Sequence, residues 1–169
     1  MARVTQRGIA AALPFSGPTV FHTGQVGIGL ATHGTDTTPV VTEEYVCEVF
    51  VPINCLSTGF AMLNGSAVAG NAKIALYDSR GGPVAQTAST AVSGTAAFQQ
   101  VPWTAPVQLK GPAKYFVGVQ NNNVANRLRT HTVGNFGAAK KTGQTFGTIT
   151  ALAPPTTFTA SLGPVGDLY

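Results

Sequence analysis

Between residues 43 and 152 the chain repeats one pattern: a short run of alternating apolar residues, then a turn signal of Gly, Pro or Asn. The run Tyr115-Phe116-Val117-Gly118-Val119-Gln120 shows it most plainly, with Tyr115, Val117 and Val119 on one face and Phe116, Gly118 and Gln120 on the other. A period of two belongs to a strand, because successive side chains leave a pleated backbone on opposite sides. In Tyr45-Val46-Cys47-Glu48-Val49-Phe50-Val51 both faces carry apolar residues, which predicts a strand partly covered on each side. Residues 56–63 run into Asn64-Gly65-Ser66, and residues 73–78 into Ser79-Arg80-Gly81-Gly82-Pro83, both of them turn sequences. A short strand at 84–87 and a longer one at 97–104 follow, the second restricted to an edge or a bulge by Pro102 and Pro106. Lys110-Gly111-Pro112 makes the next turn, and residues 127–133 and 145–152 supply two more strands. Roughly seven to nine short antiparallel strands, with turns about every ten residues, predict an all-β sandwich or jelly roll. The 22 Thr residues agree, since a β-branched side chain suits a pleated sheet better than a helix.

The two ends read differently. Residues 1–42 are punctuated by Gly24, Gly27, Gly29 and Gly34, carry a Thr-rich stretch at 32–42 and show little alternation, which predicts an extended N-terminal arm. Gly27 and Gly29 lack the third glycine and following helix of a nucleotide fingerprint. Residues 43–152 form the sandwich on this reading, and residues 153–169 an extended C-terminal tail, packed along the sandwich or onto another chain. Arm and tail hold Ile9, Leu13, Phe15, Phe158 and Leu162, which are poorly placed in water. Both ends are therefore expected to carry contacts to other subunits, adding strands to a neighbour, around an autonomous core at 45–152.

Charge is scarce: 10 Lys+Arg and 6 Asp+Glu make 9% of the chain, against roughly 25% in an average soluble domain. The net charge of +4 is spread from Arg3 to Lys141 with no dense run, so no nucleic-acid partner is expected. Arg127 and Arg129 share one strand face, which reads as a solvated face rather than a phosphate patch. No run of about 18 apolar residues exists, and the apolar stretch at 9–13 is cut by Pro14, so neither a membrane span nor a secretory signal is expected. Cys47 and Cys55 are then expected to be free, buried thiols.

Catalytic chemistry is thinly supplied, and no enzyme is expected. Glu43 and Glu44 are adjacent, so on a strand they point to opposite faces and cannot flank one bond. His22, His33 and His131 are scattered, and no Gly-X-Ser-X-Gly elbow is present. Glu48, beside Phe50, suits a subunit contact. Asp78 and the run Asn121-Asn122-Asn123 could offer oxygens to calcium, but turn residues bonding their own backbone account for them, so no metal or cofactor is expected. Saccharide binding has more substance. Sites of that kind pair an aromatic platform with amide and guanidinium donors, and Tyr77, Trp103, Asn121, Asn122, Asn123 and Arg127, with Tyr115, are the right residue types. Against it, Trp103 and Tyr115 lie in alternating strands, where a ring is buried in the core.

The order of the pieces is itself informative: Thr35-Asp36-Thr37-Thr38-Pro39-Val40, then Tyr45-Val46-Cys47-Glu48-Val49-Phe50-Val51-Pro52, Ser57-Thr58-Gly59-Phe60-Ala61-Met62-Leu63-Asn64-Gly65 and Ala75-Leu76-Tyr77-Asp78-Ser79. Phe98-Gln99-Gln100-Val101-Pro102-Trp103-Thr104-Ala105-Pro106, the segment from Gly111 through Gln120, and Pro154-Pro155-Thr156-Thr157-Phe158-Thr159-Ala160 complete it. Over residues 35–169 this resembles the small jelly-roll virion proteins of tailed bacteriophages, above all capsid decoration or cement proteins, which in turn resemble carbohydrate-binding β-sandwich modules. The resemblance implies a structural role on the outside of a head shell, with the major capsid protein and further copies of itself, often as a homotrimer, for partners. It implies assembly in the host bacterial cytoplasm and a final place on the capsid surface of the virion. The alternative it leaves is a tail or fibre-tip module that binds host saccharide.

Overall fold

A computed structural model describes residues 21–22, 34–132 and 137–169. Among these the protein is all-β, with no helix. The strands are β1 (Phe21–His22), β2 (Thr35–Thr37), β3 (Glu44–Val51), β4 (Cys55–Leu63), β5 (Asn71–Tyr77) and β6 (Pro83–Gln86). They continue as β7 (Thr90–Ala91), β8 (Phe98–Leu109), β9 (Ala113–Asn121), β10 (Leu128–Thr130), β11 (Ala138–Lys141) and β12 (Gly166–Leu168). One sheet runs β1-β12-β4-β8 and the other β11-β3-β9-β5-β6, with β7 also on β5, while β2 and β10 form a small separate pair. Every pairing is antiparallel.

The alternation read from the sequence places the core. Strand β9 sits between β3 and β5, with Val117 opposite both Cys47 and Leu76. Its residues Tyr115, Val117 and Val119 join Val49, Ile74 and Leu76 of the same sheet and Phe60, Met62, Val101 and Trp103 of the other in one buried cluster. Phe116 points the opposite way and packs with Val46, Ala75 and Tyr77. That outer face needs a cover of its own, because apolar area left in water costs about 25 cal/mol per Å².

The cover is the segment 142–152, where the sequence predicts a strand over 145–152 and the structure has an irregular strap. Ile149 and Leu152 close over Tyr77 and Phe116. The strap's ends are tied by backbone bonds, Gln144 N to Thr42 O at 2.8 Å and Leu152 N to Gly81 O at 2.9 Å. Gly81 has φ 84°, and a Cβ there would collide with the Leu152 carbonyl. Its middle is held by one side chain: Gln120 Nε2 donates to Thr148 O at 3.1 Å, and Gln120 Oε1 accepts from Gly147 N at 3.0 Å. Alternating Thr and Ile give this stretch a strand's pattern, but a segment lying across a sheet face has no edge to pair with.

Three other elements differ from the sequence reading in presence, length or position. Strand β11, absent from the sequence reading, extends the larger sheet by pairing Ala138 with Cys47 and Lys141 with Glu44. Strand β8 is 12 residues long and lies at a sheet edge. Its register jumps where Ser57 faces Val107 but Gly59 faces Pro102, so Trp103, Thr104, Ala105 and Pro106 bulge opposite Thr58 alone. The edge and the bulge are what Pro102 and Pro106 demand. The C-terminal tail, finally, does not extend away from the sandwich. Strand β12 lies between β1 and β4, Leu168 is in the inter-sheet core, and the Tyr169 carbonyl accepts from Thr58 N at 2.6 Å and Gly59 N at 3.2 Å. Residues 45–152 alone would lack a strand of their own sheet. Part of the arm is also built in, since β2 pairs with β10, Asp36 opposite Arg129. The rest of the arm, residues 1–20 and 23–33, and Val133 of the predicted strand at 127–133 lie outside the described residues.

Leu168→Ala should therefore lower stability by about 2–5 kcal/mol, the range for emptying a buried leucine site, measured by urea unfolding of the isolated protein. A tail that served only a partner would leave that curve within ~0.5 kcal/mol of the parent. Cys47 is buried, Cys55 half-buried, and neither is in a disulfide; titration of the denatured protein without reductant should count both thiols.

Candidate functional site

The residues that the sequence offers for saccharide binding divide into two groups. Tyr77 is fully buried on the outer face of the larger sheet, and its hydroxyl donates to Glu44 Oε1 at 2.6 Å. Trp103 is buried between the sheets, its indole N–H donating to Ser57 Oγ at 2.9 Å. Tyr115 shares that core and bonds the Lys110 carbonyl at 3.1 Å. None of the three presents a ring to solvent, and Tyr77 and Trp103 sit on opposite faces of β5 and β9's sheet. Asn121, Asn122, Asn123 and Arg127 do fall in one loop, but their polar atoms brace it. Asn121 Oδ1 accepts from Asn126 at 2.7 Å, Asn122 Oδ1 from Asn71 N at 2.7 Å and Asn123 Oδ1 from Ala125 N at 2.8 Å. Arg127 donates to the Val124 and Asn126 carbonyls at 3.1 and 3.0 Å.

The acids are likewise engaged, and Glu43 and Glu44 do take opposite faces. Glu43 accepts from Lys140 Nζ at 2.7 Å and from the Tyr45 hydroxyl at 3.1 Å. Glu44 lies flat over Gly118, where any Cβ would occupy the position of its carboxyl, and its second oxygen has no partner. Burial pushes the Glu44 carboxyl above the usual range, against the opposing pull of the Tyr77 hydroxyl, Lys141 and Gln120. Asp36 is also pushed up by burial, but hydrogen bonds from Ser66 and then the charges of Arg129 and Arg127 outweigh this and hold it low. Arg129 is buried, its Nε 3.8 Å from Asp36 Oδ1, so it ties β10 to β2, while Arg127 braces its own loop, and the two do not form an open basic face. Glu48 pairs with Lys114 at 3.2 Å, and Asp78 accepts from Arg80 N and Gly82 N of its own turn. His131 is buried; His33 and the His22 side chain lie outside the described residues. Among the described residues no three potential metal ligands cluster.

The outer surface also carries large apolar side chains. Phe50, Leu56, Val84, Phe98, Val124 and Phe158 are exposed. One groove stands out, about 320 Å³ in volume, walled by Pro83, Val84 and Ala85 of β6 and by Thr104, Ala105 and Pro106 of β8, with Ile149 of the strap beside them. Both strands are sheet edges, and an isolated bridge between Thr87 and Trp103 joins them at one end. No charged residue lines the groove. A Pro-interrupted edge strand was the one hint of it in the sequence; that two such edges meet was not visible there. The chain matches no protein-family model, no curated protein and no solved structure.

The buried hydroxyls and carboxyl give the fold a definite pH response. Burial, then the charge of Glu43, raises Tyr45 to about 12, and burial with Glu44 raises Tyr77 as well. A group whose proton is held more tightly in the folded state contributes stability below its ordinary pKa, near 10 here, and loses it as pH climbs through the folded value. Urea midpoints should thus fall between pH 10 and 12. By the same sign, Glu44 stabilises most below about 4.5 and less as pH rises. Glu44→Gln, which keeps the acceptor for Tyr77, should flatten the midpoint between pH 5 and 8 relative to the parent.

Proposed function

We propose that the protein is a bacteriophage virion structural protein, a capsid decoration or cement protein that binds the outer surface of the head shell and stabilises it. The observation that carries this reading is where the ionisable groups of the sandwich go. Glu43 is paired with Lys140, Glu44 with Tyr77, Glu48 with Lys114, and Asp36 with Ser66 and Arg129. The acids are spent on holding the fold, and the exposed surface includes large apolar side chains, Thr and strand edges, the material of a subunit contact. The connectivity supports a jelly roll: the chain changes sheet from β3 to β4, β4 to β5, β7 to β8 and β8 to β9. On this reading the partners are the major capsid protein and two further copies in a homotrimer. The protein acts on the capsid surface of the virion after assembly in the host bacterial cytoplasm, as a non-enzymatic component. The tail-module alternative has less support, because Tyr77 and Trp103 are buried and only the loop with Asn122, Asn123 and Arg127 is left to meet a sugar.

Particles assembled without the protein should form heads that rupture at lower temperature or under milder osmotic shock, and adding the purified protein back should restore them. Unchanged rupture together with lost attachment to the host would move the protein to the tail.

A further inference from the structure

The groove between β6 and β8 is a gap between two strand edges of different sheets. At one end they are joined by the bridge between Thr87 and Trp103; beyond it, Thr104, Ala105 and Pro106 belong to the bulge that faces only Thr58 of β4. These residues lie in a strand with no ladder partner on the β4 side, opposite the short edge of β6. A single extended segment laid in the gap can bond to both edges at once, which is how an added strand gains affinity. Pro83, Pro102 and Pro106 interrupt the two edges, so pairing along their whole length is blocked and only a short segment fits.

We propose that the groove receives residues 9–13 of a second copy of this chain. The segment Ile9-Ala10-Ala11-Ala12-Leu13 is uncharged, like the groove, and its three central alanines permit close approach of backbones. It belongs to the 20 residues that precede β1, all outside the described residues. Strand β1 lies at the edge of its sheet opposite to β8, in the order β1-β12-β4-β8. The arm therefore leaves from one edge, and the groove opens at the other. For a chain to fill its own groove, the arm would have to recross three inter-strand steps, roughly 14 Å, at right angles to the strands and with no strand edge to pair with on the way. A neighbour set beside β1 presents its groove where the arm emerges, and residues 14–20 span up to about 24 Å of reach. Donor edge and acceptor edge are different surfaces, so the contact is head-to-tail and closes into a ring when the rotation permits, as in a trimer. The inference extends the self-association in the shell-binding reading, and its test uses no shells, so its failure leaves that reading standing.

Two full-length variants decide it. Ala11→Cys, grown in heavy nitrogen, is mixed with unlabelled Ala105→Cys under mild oxidation, and the linked peptides are identified by mass. A peptide joining residue 11 of a heavy chain to residue 105 of a light chain is the expected result. No such peptide, or a link that forms only within one chain when both substitutions are placed in the same chain, would overturn the proposal. Sedimentation gives the second readout: the parent should be an oligomer, and Val84→Asp or Ala105→Asp, with an unchanged melting profile, should shift it at least tenfold toward monomer. A monomeric parent, or folded groove variants that assemble as the parent does, would refute it as well.

Discussion

Strand β9 is buried on both faces, and much of the molecule is arranged to keep it so. One face is covered by the four-stranded sheet, whose Phe60, Met62, Val101 and Trp103 meet Tyr115, Val117 and Val119. The other is covered by the strap, which is not a sheet and brings no ladder of its own. Buried backbone groups still need partners, so Gln120, the polar end of β9's outer row, supplies them by bonding Gly147 and Thr148. Gly118, one step earlier in that row, gives the Glu44 carboxyl room to cross the strand and reach Tyr77. A residue with a side chain at Gly118 would break that contact and lift the strap with it.

The same economy explains the surface. With so few charges in the chain, each acid of the sandwich is set against a particular donor, and the paired positions fasten neighbouring elements: Glu43 ties β3 to β11, Asp36 ties β2 to the Ser66 turn and to β10. Each of these ion pairs has one buried partner, Glu43 or Arg129, so it must offset the cost of taking that charge out of water. Away from these pairs, the groove between β6 and β8 is lined by uncharged residues and rings such as Phe50 and Phe158 are exposed. The prolines that flank the groove block uninterrupted pairing along either edge.

The main strands were legible in the sequence, because a period of two separates the residues of one face from those of the other; β3, β4, β5 and β9 fall where the pattern puts them. Elements whose placement depends on a distant partner were not. Residues 145–152 carry a strand's pattern without a strand's neighbour. Gly166, Asp167 and Leu168 carry no pattern, yet pair with Met62, Ala61 and Phe60 in a central position. The candidate saccharide residues failed to assemble for a related reason. Residue type alone says nothing about depth: Trp103 is buried in the inter-sheet core, as its alternating strand suggested, and Tyr77 in the outer-face cluster, with Ser57 and Glu44, 46 and 33 residues away, as polar partners.

By itself, then, the sequence determined the class of structure, the spacing of its turns and the faces of its main strands, since these follow from local residue order and composition. Tertiary structure alone decided which sheet each strand joins, that the C-terminus is core, that a strap covers β9, and that two edges meet in a groove. Those outcomes depend on hydrogen bonds and apolar contacts between residues far apart in the chain, and no local window of sequence contains both partners.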